Sequence, residues 1–155
     1  MASSTSGASW SSLHLLKFNS PDELLSYVND KVKELEAALE AAKAELGRVR
    51  AEAERLMEVE RVLSEVLGVK PSEIREIDVR GVRVVMDAKA TDEVAVYEEV
   101  VASLQETLDV LKRVRDEVVA PLVSRLRGLK GVRFVVEAAG VIPTKILIKF
   151  EGQQG

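Results

Sequence analysis

Residues 20–67 read SPDELLSYVNDKVKELEAALEAAKAELGRVRAEAERLMEVERVLSEVL, and the spacing of their apolar side chains decides the fold. Leu25, Val28, Val32, Leu35, Leu39, Ala42, Leu46, Val49, Ala53 and Leu56 alternate steps of three and four, which is the seam of a coiled-coil helix. A second step of three leads to Val59, then Leu63 and Val66, and a three-residue stammer of this kind overwinds a supercoil locally. Ser20, Pro21 and Glu23 form an N-terminal signature. The hydroxyl caps the amide of Glu23, that carboxylate reaches back to Ser20, and proline loses nothing at the first helical position. Gly68 and Pro71 end the helix. Residues 20–67 are therefore expected to form one helix of about 70 Å, at about 1.5 Å per residue.

Working outward, the apolar period changes to two between Ile74 and Met86. With Arg80 and Gly81 as a two-residue turn, Val79 faces Val82, Asp78 faces Arg83 and Ile77 faces Val84, so residues 74–87 are expected to form a hairpin. Thr91 and Asp92 offer the next cap. A second seam runs Val94, Tyr97, Val101, Leu104, Leu108, Leu111, Val114, Val118, Leu122 and Leu126, giving a helix over 91–127. Pro121 is expected to kink or end it near Ala120, because proline removes one amide and crowds the preceding turn. Alternating residues then predict a second hairpin over 132–150, with Gly140 and Pro143 in its loop. Residues 1–19 are read as a flexible Ser-rich tail and 151–155 as a C-terminal tail. Within the first of these, Trp10, Leu13, Leu15, Leu16 and Phe18 form an apolar cluster that either packs back on the fold or docks on a partner, the packing being the favoured reading.

The expected fold class is α+β, mainly α: two long antiparallel coiled-coil helices with a β-hairpin between them and a second at the C-terminus. An isolated two-stranded hairpin is marginal in water and its edges invite another strand. An antiparallel two-fold dimer answers this need by joining the central hairpin of one copy to the terminal hairpin of the other. The oligomer seam is then Leu25, Val28, Val32, Leu35, Leu39, Leu46, Val49 and Leu56. A hairpin inserted between two long helices, over roughly Pro21 to Gly128, resembles the topology of prefoldin subunits. That resemblance implies hairpins assembled into a barrel and helix tips that hold unfolded clients. The two strands after the second helix depart from that pattern.

The chain has 155 residues with 46% hydrophobic and 31% charged residues but only 4% aromatic, the bias of long helices. Few amides, no cysteine and many charges suggest a thermophilic source. A formal net charge of −4 supplies no overall field for nucleic acid or anionic membrane. No run is long and apolar enough for a membrane span, and residues 1–12 lack a basic signal region, so a cytoplasmic protein is expected. The absence of cysteine removes thiolate metal sites and cysteine nucleophiles. His14 is the single histidine, and one imidazole builds neither an ordinary metal site nor a supported general base. Glu34, Glu36, Glu40, Glu45, Glu52 and Glu54 lie off the seam among Lys33, Lys43, Arg48 and Arg55, the pattern of a solvated helix face. No phosphate-binding loop, nucleophile elbow or zinc spacing occurs. No catalytic residue, cofactor, metal or small-molecule substrate is expected.

One asymmetric charge feature remains. Lys112, Arg113, Arg115, Arg125, Arg127, Lys130 and Arg133 are offset only by Asp116 and Glu117. This run is a candidate partner-binding patch for an acidic protein or, with no interleaved aromatics for base stacking, more weakly for nucleic acid. The function expected from these readings is a non-catalytic structural or adaptor protein that self-associates through helices and sheet edges. Its partners are a second copy and another protein. A prefoldin-like chaperone subunit and a nucleic-acid-associated protein are the alternatives.

Overall fold

A computed structural model describes residues 13–67, 75–86 and 89–150. The elements are β1 (Leu13–Phe18), α1 (Pro21–Leu67), β2 (Arg75–Val79), β3 (Val82–Met86), α2 (Ala90–Val114), a π turn (Arg115–Val119), α3 (Ala120–Leu126), β4 (Val132–Ala139) and β5 (Ile142–Phe150). The architecture is mainly helical with antiparallel strands. Trp10, Gly68, Pro71, Ile74 and the 151–155 tail lie outside the described residues. The chain divides into two compact units, one of Met1–Ala37 with Gln105–Gly155 and the other of Ala38–Leu104.

In the first unit, Ser20 and Glu23 build the start of α1. The Glu23 amide donates to Ser20 Oγ at 3.2 Å, while the Glu23 carboxylate accepts from the Asn19 amide at 2.9 Å, one residue earlier than a standard capping box. Ser20→Ala is expected to cost about 1 kcal/mol, read as the shift in a chemical denaturation midpoint. Asp22 and Glu36 on α1 pair with Arg127 and Lys112, at 2.8 and 3.3 Å, so the two helical segments run antiparallel. Fourteen positions separate Asp22 from Glu36, and fifteen separate Lys112 from Arg127. The π turn lies inside the longer interval. There the Ala120 amide donates to the Arg115 carbonyl, five residues back, which inserts one extra residue into the turn ahead of Pro121.

That insertion settles what Pro121 does. The helix neither stops near Ala120 nor loses a turn; the widened turn accommodates the proline, and helix continues to Leu126. It also rotates the face that follows. Leu108 and Leu111 are buried as the seam requires, but the next buried residues are Val119 and Val123, while Val118 is 48% exposed. At the other end of the unit, Leu24 is buried rather than Leu25. These residues, with Val28 and Val32, form a core with one face of a three-stranded sheet in the order β1-β4-β5.

This sheet corrects two expectations. The segment expected to be tail through Asn19 contains a strand, because β1 pairs antiparallel with β4 from Leu13↔Ala139 to Phe18↔Phe134. His14 Nε2 donates to the Gly140 carbonyl at 2.7 Å, which ties the start of β1 to the β4–β5 turn. Phe18 packs on Tyr27 of α1 with ring centroids 5.4 Å apart. β4 is therefore flanked on both sides by strands of its own chain, and the edges of this sheet are β1 and β5. Pro143 is also not in the loop. The turn is Gly140 and Val141, with Gly140 at φ 61°, and Pro143 pairs with Ala138 beside a bulge, where Thr144 Oγ1 donates to the Glu137 carbonyl at 3.1 Å. Proline is tolerated there because β5 is an edge strand.

In the second unit, β2 and β3 pair in the expected register, including Ile77↔Val84, Asp78↔Arg83 and Val79↔Val82. Arg80 and Gly81 both take positive φ, 52° and 87°, the conformation of a tight hairpin turn, and the Gly81 amide donates to Asp78 Oδ1 at 2.9 Å. The hairpin forms its own two-stranded sheet. α2 begins at Ala90, one residue before the expected Thr91. The Lys89 amide donates to Asp92 Oδ2 at 2.7 Å, so Asp92 acts from inside the first turn and not as the cap. Arg50 on α1 pairs with Glu98 on α2 at 2.8 Å, and Leu39, Leu46, Val49 and Ala53 are buried.

Candidate functional site: two exposed apolar surfaces

Cross-strand partners in an antiparallel sheet point to the same face. In the first unit, Phe134, Val136 and Ala138 of β4 point into the core with Phe18, Leu16 and His14 opposite them on β1. The other face carries Leu13, Leu15 and Lys17 from β1, Arg133, Val135 and Glu137 from β4, and Lys145, Leu147 and Lys149 from β5. Leu15 is 64% exposed and Leu147 is 52% exposed, with Val135 half-buried between strands. Four cations surround these apolar residues against the single carboxylate Glu137. Arg133 and Lys149 are cross-strand partners on this face. Lys17, Lys145 and Lys149 make no ion pair among the described residues.

In the second unit the charge is reversed. Residues 38–104 contain fifteen Asp and Glu against ten Lys and Arg. The start of α2 lies beside α1, where Ala53, Leu56, Met57, Val59 and Glu60 face Lys89, Ala90 and Thr91 across a groove of about 500 Å³. Beyond the groove the apolar series of α1 emerges into solvent, with Leu63 45% and Val66 73% exposed. Val79, Val82, Val84 and Val85 of the hairpin are exposed as well. Arg61 is held by Glu58 and Glu65, and the hydrogen bond from Glu58, then that from Glu65, raises its pKa. The charged residues that line the groove are Glu60 and Lys89, with Glu54 and Arg50 lining the adjoining depression.

The residues singled out from the sequence fall in different places. Val28, Val32, Leu39, Leu46 and Val49 lie in the chain's own core, Leu25 and Leu35 are half-buried, and only Leu56 of the proposed oligomer seam reaches an exposed surface. Of the basic run, Lys112, Arg115 and Arg127 are paired with Glu36, Asp116 and Asp22, and Arg133 joins the sheet face instead. Arg113, Arg125 and Lys130 are exposed on α2, α3 and the loop before β4. The sheet face was missed because Lys17 is remote in sequence from Lys145 and Lys149. Only the alternation of Lys145, Leu147 and Lys149 hinted at it.

Among the described residues no group of three His, Asp or Glu side chains could hold a metal ion, and no polar or charged side chain is buried. No described helix is long and apolar enough to cross a membrane. No family model matches the chain, and neither a curated protein nor a solved structure matches it.

Proposed function

We propose that this chain is a non-catalytic scaffold or adaptor that self-associates, its helices packing as an antiparallel coiled coil and its exposed apolar residues meeting those of another copy. The observation that carries this reading is the run Leu56, Val59, Leu63 and Val66, which leaves the core of the second unit and continues along α1 uncovered. Contiguous exposed apolar surface of this kind marks an interaction site. The two-stranded hairpin supports the same reading, since two strands alone are marginal and this pair presents valines to solvent.

Light scattering combined with small-angle X-ray scattering tests it. The expected result is a mass above the 17.0 kDa of one chain, rising with concentration, and lowered by replacing both Leu63 and Val66 with lysine. A single-chain mass at every concentration would sink the reading. The same exposed stripe favours a second reading, a client-holding tip of the prefoldin kind. That reading expects the protein to suppress aggregation of an unfolded substrate, and the Leu63 and Val66 replacements to abolish the suppression.

A further inference from the structure

The outer face of the β1-β4-β5 sheet is most apolar at one end. Leu13, Ala139 and Ile142 form a row across its three strands beside the β4–β5 turn, with Leu13 56% exposed and Ala139 and Ile142 half-buried. Leu15, 64% exposed, lies next along β1 on the same face. The chain enters the sheet at this end, and its single tryptophan, Trp10, stands three residues before Leu13. We infer that Trp10 folds back from the start of β1 and docks on this row, so that the occupant of this part of the outer face is the chain's own N-terminal segment.

Register, reach and tethering favour this occupant. Leu13 pairs with Ala139, the last residue of β4, and the Gly140–Val141 turn follows, so β4 offers no partner with which residues before Leu13 could extend the ladder. Ser11 and Ser12, small residues whose hydroxyls bond readily to nearby backbone groups, suit a change of direction there. Three residues span about 10 Å, and two strand spacings, the width from β1 to β5, also come to about 10 Å, so the indole reaches every member of the row. An indole buries about 200 Å² of surface, and no other residue between positions 2 and 12 carries a large apolar side chain. A tether this short holds the indole near the row at an effective concentration of about millimolar, above that of a second copy in dilute solution. The row is thereby withheld from other copies, and the exposed run of α1 is left as the surface through which they meet.

Because Trp10 is the only tryptophan, its fluorescence reports on the site in the full chain. The expected emission lies at shorter wavelength than that of N-acetyltryptophanamide, and acrylamide quenches it several-fold less. Neither property is expected to change on dilution, as an intramolecular contact requires. Leu13→Lys and Leu15→Lys, each at an exposed position, are expected to move the emission to longer wavelength and to restore quenching, with circular dichroism and melting showing that each variant stays folded. Leu63→Lys on the α1 run is expected to leave the emission unchanged. Emission and quenching in the parent that match the free amide overturn the inference. Protection that persists in both sheet variants overturns it as well, since Trp10 then docks elsewhere. Protection that disappears on dilution or with Leu63→Lys assigns Trp10 to a contact between copies, which overturns the intramolecular docking while self-association stands.

Discussion

Replacing Phe134 with alanine is expected to remove about 3–5 kcal/mol of stability, the range for truncating a fully buried aromatic side chain. Phe134 is 1% exposed and sits at the centre of the sheet, between Phe18 on β1 and Ile148 on β5. Its ring is held on both sides by strands and below by the helical core of the first unit, so the surroundings cannot close over the void. Urea denaturation followed by far-ultraviolet circular dichroism reads the loss. The variant leaves the exposed run Leu56, Val59, Leu63 and Val66 of α1 untouched, so whatever folded protein remains is expected to associate as the parent does. A midpoint shift equivalent to less than about 1 kcal/mol would mean that Phe134 is not part of a close-packed core.

The second large effect is a contrast between two leucines of the same helical pattern. Leu111→Ala is expected to cost about 2–5 kcal/mol, because Leu111 is completely buried in the first unit. Leu63→Ala, at a position 45% exposed, is expected to change stability by less than about 1 kcal/mol but to weaken self-association measurably. The heptad spacing alone treats these residues as equals. Stability and association, measured on both variants, should therefore separate along different residues. Equal losses of stability would mean that Leu63 is covered within its own chain.

The legibility of the fold follows the range of the interactions. The β2–β3 register was readable because its determinants lie within a few residues: Arg80 and Gly81 take the turn conformation and Asp78 caps it. The start of α1 was readable for the same reason, down to the Ser20 cap, although Glu23 bonds Asn19. β1 was not readable. Its six residues are apolar on both faces, with Leu13 and Leu15 on one and Leu16 and Phe18 on the other, so they lack clean alternation, and their partner strand is far away in sequence. The π turn was half readable. Pro121 marked the disturbance, but nothing local says that the helix absorbs it by one inserted residue, and so Val118 and Leu122 were expected to pack where Val119 and Val123 do. The candidate surfaces followed the same rule. The exposed end of the α1 stripe continues a pattern visible in sequence, whereas the cationic sheet face exists only once β1 has joined β5 across β4.

The pairing of β1 with β4 also sets an order of events during synthesis. His14 and Gly140 are 126 residues apart and share a hydrogen bond, and the second unit, Ala38–Leu104, is contiguous between them. At about 5–20 residues per second, roughly 6–24 s pass between the emergence of β1 and that of its partner strand. The contiguous unit can gather its helices in that interval, while Leu13–Phe18 waits as an unpaired apolar strand. A ribosome stalled before Val132 would leave that strand with no place to go, so incomplete chains should be the species that aggregate and that cellular quality control must recognise.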